Sequence, residues 1–296
     1  MARSELGQRL RVVAVGIPAV VAALWVGRWA MGPLLALFCA GAAVELYRMA
    51  ERGGVRPLVV PGALAAAIVV MTAAIQPTVQ AAGPLLWTIA MLVILALALL
   101  VIWARGVEGQ PLATLTITAV GALFPAGALS YAIFLRHLPV AADPLNETWA
   151  SLVGVGLVAY PLTTTWMTDS AAFLVGKRWG RRKLIPTVSP GKTVEGAIAG
   201  LVGGTLGGLL VTLAFQAWLG IPLPPLLGAA GGLLIAAISQ AGDLAESVWK
   251  REAGVKDSGA VFPGHGGILD RVDSLLFTVP AGYWWLAAVL PAGPTW

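Results

Sequence analysis

The sequence predicts an all-α, polytopic membrane protein with about nine transmembrane helices and a cytoplasmic N-terminus. Three observations carry that expectation. First, 58% of the 296 residues are hydrophobic, only 11% are charged, and the mean hydropathy is +0.84. A soluble domain of this size carries about 25% charge. Second, the apolar residues fall in long blocks. A bilayer core about 30 Å thick needs about 20 such residues per helix, and the short alternating strands of a β-barrel are not seen. Third, Lys and Arg are distributed unevenly between the two sides that nine spans define, as set out below.

Nine apolar segments stand out, at about 12–27, 29–47, 58–76, 83–104, 114–135, 149–168, 194–219, 221–241 and 274–291. The start, "MARSELGQRLR", runs into the first segment without a clearly placed small-residue cleavage site, so it reads as a membrane helix and not as a cleaved signal. Arg28 blurs the end of that segment. The second holds Cys39, the one cysteine of the chain. Cys39 has no intrachain disulfide partner and reads as packing. Proline-containing breaks such as "IQPTVQAAGP" and "LGIPLPP" separate later segments. No internal repeat or low-complexity linker appears. A single integral membrane domain, 1–296, is the simplest division, with N-terminal helices to about 148 and a polar-rich C-terminal part from about 149.

Alternating the spans from a cytoplasmic N-terminus leaves Arg28 and Arg136 as the only outer basic residues, against 17 inside. Such a bias sets membrane orientation. It places the C-terminus outside and the polar loops after the sixth and eighth segments on the inner, cytoplasmic face of a cell membrane. The seventh segment repeats Gly196, Gly200, Gly204 and Gly208 every four residues. The ridge reads as close helix packing, with a hinge for substrate entry as the alternative.

Three polar clusters lie on the inner side. In the first, "WMTDSAAFLVGKRWGRRK", Asp169 sits near the end of an apolar helix. An acid there is a functional candidate, because an unpaired charge in hydrocarbon is costly; a buried structural pair with a nearby Arg is the alternative. The basic run after it serves as a positive-inside anchor, or holds anionic lipid headgroups or a polyphosphate. In the second, "PTVSPGKTVEG", the "GKT" is not a P-loop. The glycine that motif needs five residues earlier is Pro186, and no strand is predicted before it. Ser189, Lys192 and Thr193 still sit at the start of the seventh helix, where free N–H groups favour anions; simple capping by Ser189 or Thr193 is compatible with that. Glu195 suits the helix dipole in the first turn.

The third cluster runs from Ser239 to Ser274. Ser239, Asp243, Ser247 and Lys250 share one helix face. Glycines 254, 259, 264, 266 and 267 follow, then Asp270, Arg271 and Asp273 at the start of the ninth segment. Acids from two helices at one aqueous mouth form a hard oxygen site that suits Mg²⁺, with basic residues to balance phosphate charge. That combination points to phosphoryl or nucleotidyl transfer. Zinc does not fit a chain with two histidines and a remote cysteine. A serine hydrolase lacks its nucleophile elbow.

The third cluster resembles the signature of the phosphatidate cytidylyltransferase, or CDP-diacylglycerol synthase, family. The matching residues are Ser247, Lys250, Arg251, Lys256, Asp257, Pro263, His265, Gly266, Gly267, Asp270, Arg271 and Asp273, in an ungapped stretch. The pieces "DSAAFLVGKRWGRRK" and "SPGKTVEG" are similar to that family too, whereas the N-terminal half resembles it only in being apolar helices. The resemblance implies a helical, commonly homodimeric membrane enzyme that joins CTP and phosphatidate to give CDP-diacylglycerol and pyrophosphate. It implies Asp243 and Asp270 as Mg²⁺-binding acids, with K⁺ a candidate to share the site. It implicates Ser247, Lys250, His265 and Asp273 in catalysis. Lys192, Ser189, Arg251, Lys256, Asp257, Arg271 and Asp169 are the expected substrate contacts, and no nucleic acid partner is expected. His265 is expected as a ligand contact or loop organiser, with general base as the alternative. Three rivals stand beside this reading. A transporter wants midplane polar sites and an inverted repeat. A basic-faced scaffold does not explain the acids. A CDP-alcohol phosphotransferase wants an Ala-Arg pair that "GDLAES" lacks.

Overall fold

The computed structural model describes residues 2–141, 147–262 and 266–293, with side chains described from residue 14 onward and outside 147–150. Its helices in chain order are α1 (Ala2–Val26), α2 (Arg28–Arg52), α3 (Val59–Ile75), α4 (Val79–Arg105), α5 (Pro111–Arg136) and α6 (Glu147–Trp179). A short antiparallel hairpin, β1 (Lys183–Ile185) and β2 (Ser189–Thr193), precedes α7 (Val194–Ala214), whose last turn runs on as a π-helix over Phe215–Leu219. Then come α8 (Pro225–Glu252), the single turn α9 (Leu269–Val272) and α10 (Leu275–Val289).

Among the described residues six helical stretches are long and apolar enough to cross a membrane, and 14–26 and Val59–Ile75 are shorter apolar helices. The chain is therefore a multi-pass, helical membrane protein. α6 departs from the sequence expectation. The apolar segment at 149–168 ends, but the helix continues through "DSAAFLVGKRW" to Trp179. At 1.5 Å per residue it is about 50 Å long, longer than the hydrocarbon core needs. Asp169 thus lies well inside a helix and not near its end.

The chain packs as two units, 1–134 with 249–272, and 135–248 with 273–296. In the first, α2 lies along α3. Tyr47 is fully buried and donates to the carbonyl of Thr118 at 2.7 Å. Gly62 and Gly121 leave room for its ring, since a Cβ at either would overlap it. Cys39 is buried here and free, as a packing residue should be.

In the second unit α7 packs on α6 and against α8. The glycine ridge is the reason. Gly196, Gly200, Gly204 and Gly208 are all buried, and so are Gly203 and Gly207. A Cβ on Gly204 would run into Thr168 of α6 and Ala236 of α8; one on Gly208 would meet the backbone of Gly228 and Gly232. Without side chains between them the helices approach backbone to backbone, where dispersion and weak Cα–H···O contacts hold them.

These contacts separate two outwardly similar substitutions. Gly208→Ala, forced against backbone that cannot turn aside, should destabilise by about 1–3 kcal/mol. Gly127→Ala, on α5 with nothing within 4 Å of the added methyl, should be neutral or gain up to about 1 kcal/mol of helix propensity. Thermal unfolding of both variants in detergent checks the contrast; equal midpoints would refute the packing role of the ridge.

Candidate functional site

The second unit contains a cavity of about 600 Å³, within the range of small-molecule sites. Its walls come from five elements. α6 brings Asp169, Phe173 and Lys177; β1 brings Leu184; β2 brings Ser189, Lys192 and Thr193; α7 brings Gly196 and Ala197; α8 brings Gln240 and Asp243.

The hairpin explains how these meet. After α6 ends, the chain turns at Arg181 and Arg182, runs out along β1 and returns along β2, with Lys183 opposite Thr193 and Ile185 opposite Ser189. Glu195 ties the turn down. Its carboxylate accepts the N–H groups of Arg181 and Arg182 at 3.1 and 3.2 Å, and pairs with the Arg182 guanidinium at 3.3 Å. Thr193 caps α7 by accepting from the N–H of Gly196 at 3.1 Å. Of the two capping candidates in the sequence, Thr193 is the one used, while Ser189 lies four residues earlier, in the strand.

At the cavity floor the Lys192 ammonium lies 2.8 Å from Asp243 Oδ2. Ser247, one turn along α8, donates to Asp243 Oδ1 at 3.5 Å, as the shared helix face predicts. Asp169 is within electrostatic reach of Asp243, Asp273 and Lys192. The second unit therefore brings Asp243, Asp273 and Lys192 within reach of Asp169, with Lys192 paired to Asp243. Asp273 also accepts the N–H of Ser274. Gln240 escaped the sequence reading; it lies three residues before Asp243, and that helical spacing was the available signal. Its amide donates to the Ala197 carbonyl at 3.1 Å.

The first unit contains the rest of the signature. Lys250 and Asp270 form an ion pair at 2.8 Å, with 12% and 6% of their side chains exposed. Asp270 Oδ2 also accepts from the N–H of Ser258 (2.9 Å), the Ser258 hydroxyl (2.9 Å) and the N–H of Gly267 (2.8 Å). Gly266, at φ +81°, sits so close that a Cβ would meet this carboxylate. Arg251 donates to the Val255 carbonyl at 2.8 Å and so helps close the end of α8. Lys256, Asp257 and Arg271 are exposed. Asp243 and Asp270 fall in different units. His265 lies outside the described residues.

Glu45 of α2 is a second residue the sequence reading missed. It is buried, and it accepts from Ser258, Ile268 and Leu269. A lone acid inside the apolar stretch "GAAVELYRMA" was the signal, by the same rule that singled out Asp169.

Among the described residues no three His, Cys, Asp or Glu side chains form a ready-made metal cage. Mg²⁺ seldom needs one. It commonly takes one or two carboxylates and completes its shell with water and substrate phosphates. The donors present are carboxylate oxygens, and both Asp243 and Asp270 already face a cation, the ammonium of Lys192 or Lys250. Each ammonium occupies a position that a metal ion would favour, and the residues fit a hard divalent cation.

Residues 7–289 match the model of the cytidylyltransferase family. A phosphatidate cytidylyltransferase of Synechocystis sp. is 33% identical over 303 residues, covering 96% of this chain and 97% of that protein. One of Bacillus subtilis is 45% identical over 134 residues, 45% of this chain and 48% of that protein. The uncharacterized protein YnbB of Escherichia coli is 39% identical over 173 residues, 58% of this chain and 54% of that protein.

The Lys250–Asp270 pair carries a stability prediction. Removing one partner of a buried pair costs about 3–5 kcal/mol, because the other charge stays behind. Lys250→Met should therefore lower the unfolding midpoint more than Lys250→Met combined with Asp270→Asn. If the double variant is no more stable than the single, the lysine acts through packing of its stem.

Proposed function

Because the chain belongs to the cytidylyltransferase family and is a nucleotidyltransferase, we propose that it joins CTP to phosphatidate, releasing pyrophosphate and leaving CDP-diacylglycerol in the membrane. The observation that carries this reading is the cavity floored by the Lys192–Asp243 pair, beside the start of α7. A cavity with an ammonium, a carboxylate and a capped helix start suits a polyphosphate.

In the proposed reaction an oxygen of the phosphatidate phosphate attacks the α-phosphorus of CTP in line. The new bond is from lipid oxygen to α-phosphorus; the bond from α-phosphorus to the bridging oxygen breaks, and its electrons leave with pyrophosphate. The attacking phosphate is already anionic near neutral pH, so the step needs positioning and charge neutralisation more than a strong base. Lys192 turns from Asp243 to the phosphates, and Lys250 serves likewise from beside Asp270. Ser189 and Ser247 supply hydroxyl contacts. Arg251, Lys256 and Arg271 supply further positive charge, Asp169, Asp257 and Asp273 orient the basic side chains, and His265 contacts ligand or organises its loop. By the resemblance, Asp243 and Asp270 are the residues that would hold Mg²⁺, which would supply neutralisation of the leaving group's charge; K⁺ is a candidate second ion.

Phosphatidate reaches the cavity sideways from the bilayer, and CTP from the cytoplasm. Phe173, 64% exposed on the cavity wall, supports the lipid route, since it offers an apolar surface beside the charged floor. The lysine and arginine bias supports a cytoplasmic site in the inner membrane, nine spans and a cytoplasmic N-terminus. The homodimer rests on the resemblance alone.

The test is a Mg²⁺-dependent assay with labelled CTP and phosphatidate on the purified full chain. Asp243→Asn, Asp270→Asn and Lys192→Ala should each lower turnover about 100- to 1,000-fold, the range seen when a group that aids transition-state charge is removed. Wild-type turnover in folded Asp243→Asn or Asp270→Asn protein would sink the metal assignment. Topology is checked separately. A cysteine replacing Arg182 should react with an impermeant maleimide only from the cytoplasmic side, and one replacing Gln80 only from the opposite side.

A further inference from the structure

Glu45 sits within α2, a helix long and apolar enough to cross a membrane, and it is only 1% exposed. A carboxylate there is tolerated only if its oxygens are fully engaged. They are engaged by one short stretch. Oε1 accepts the N–H of Ile268 at 2.9 Å, and Oε2 accepts the N–H of Leu269 and the hydroxyl of Ser258, both at 2.8 Å. The chain passes so closely that a Cβ on Gly259 or Gly267 would collide with the Glu45 carboxylate.

The Ser258 hydroxyl is the key to what this does. It lies 2.8 Å from Glu45 Oε2 and 2.9 Å from Asp270 Oδ2, and it accepts the N–H of Asp270 at 3.3 Å. One hydroxyl has one hydrogen and can donate to one acceptor at a time. When the hydrogen points to Asp270, that carboxylate is fully engaged by protein donors. When it points to Glu45, Asp270 Oδ2 keeps the N–H groups of Ser258 and Gly267 but has one donor fewer, which leaves room for another cation, and no buried donor is left without a bond. Glu45 thus provides the alternative acceptor that makes this exchange inexpensive.

We propose that Glu45 is a positioning residue for the transfer reaction. Through Ser258 it lets Asp270 exchange a hydrogen bond for ligand, and through Ile268 and Leu269 it fixes the backbone that carries Asp270. The first half rests on the proposed function; the second does not.

The experiment pairs kinetics with amide hydrogen exchange on the purified full chain in detergent. Glu45→Gln keeps the shape but turns one acceptor into a donor. It should lower kcat about 10- to 100-fold, as loss of a residue supporting a metal ligand does, with the KM for CTP changed less than about twofold. Exchange should quicken at 267–270 and not in α3 or α5. Ser258→Ala cuts the link to Asp270 but keeps the bonds from Ile268 and Leu269. Exchange at those two amides should be unchanged, and the double variant should lose no more kcat than Glu45→Gln alone. A loss in the double variant clearly greater than in Glu45→Gln overturns the coupling. Faster exchange throughout the first unit in Glu45→Gln makes Glu45 a packing residue and overturns the proposal. If the wild type makes no CDP-diacylglycerol, the functional reading fails, and the exchange data alone still decide whether Glu45 holds the segment.

Discussion

The requirement to match negative charge inside an apolar bundle governs most of what is distinctive in this chain. A carboxylate taken out of water costs several kcal/mol unless donors surround it. Asp270 is surrounded by an ammonium, two peptide N–H groups and a hydroxyl, and Glu45 by two peptide N–H groups and the same hydroxyl. Those demands set the local sequence. Glycine is needed at 266 for a positive φ and at 267 for lack of room, serine at 258 for a donor, and lysine at 250 for a long reach from α8. What the sequence presents as a motif is, in the first unit, a solution to one electrostatic problem.

The second unit meets the same requirement more openly. Lys192 and Asp243 are partly exposed to a cavity, so their pairing costs less to break. That difference suits different duties. The Lys192 side chain, partly exposed although its ammonium is shielded, turns toward a phosphate more readily than Lys250, whose pair with Asp270 is the drier of the two. Family membership gives the reaction class of the chain; the unequal burial distinguishes the two ion pairs within it.

Much of this was legible in the residues. Long apolar blocks announced the helices, a four-residue glycine period announced the seam of α7, and helical spacing placed Asp243 and Ser247 together. The hairpin was not legible, because "KLIPTVSPGKT" carries a weak strand signal and two prolines; it exists because Glu195 and the Thr193 cap fix its ends. The extension of α6 was missed because hydropathy falls at Asp169 while helix propensity does not. Glu45 was passed over because a lone acid in an apolar block shows no partner along the chain. Its partners lie more than 200 residues away, and no local pattern reveals them.

The seam of α7 has one further consequence. Interdigitated side chains absorb a small displacement by changing rotamer, but Gly208 lies directly against the backbone of Gly228 and Gly232 and has no rotamer to change. A bilayer that thins or thickens loads the ends of its helices. Along this seam no rotamer change can take up such a load, so it passes to tilting, bending or sliding of whole helices, and α8 carries Gln240 and Asp243 of the cavity wall with it.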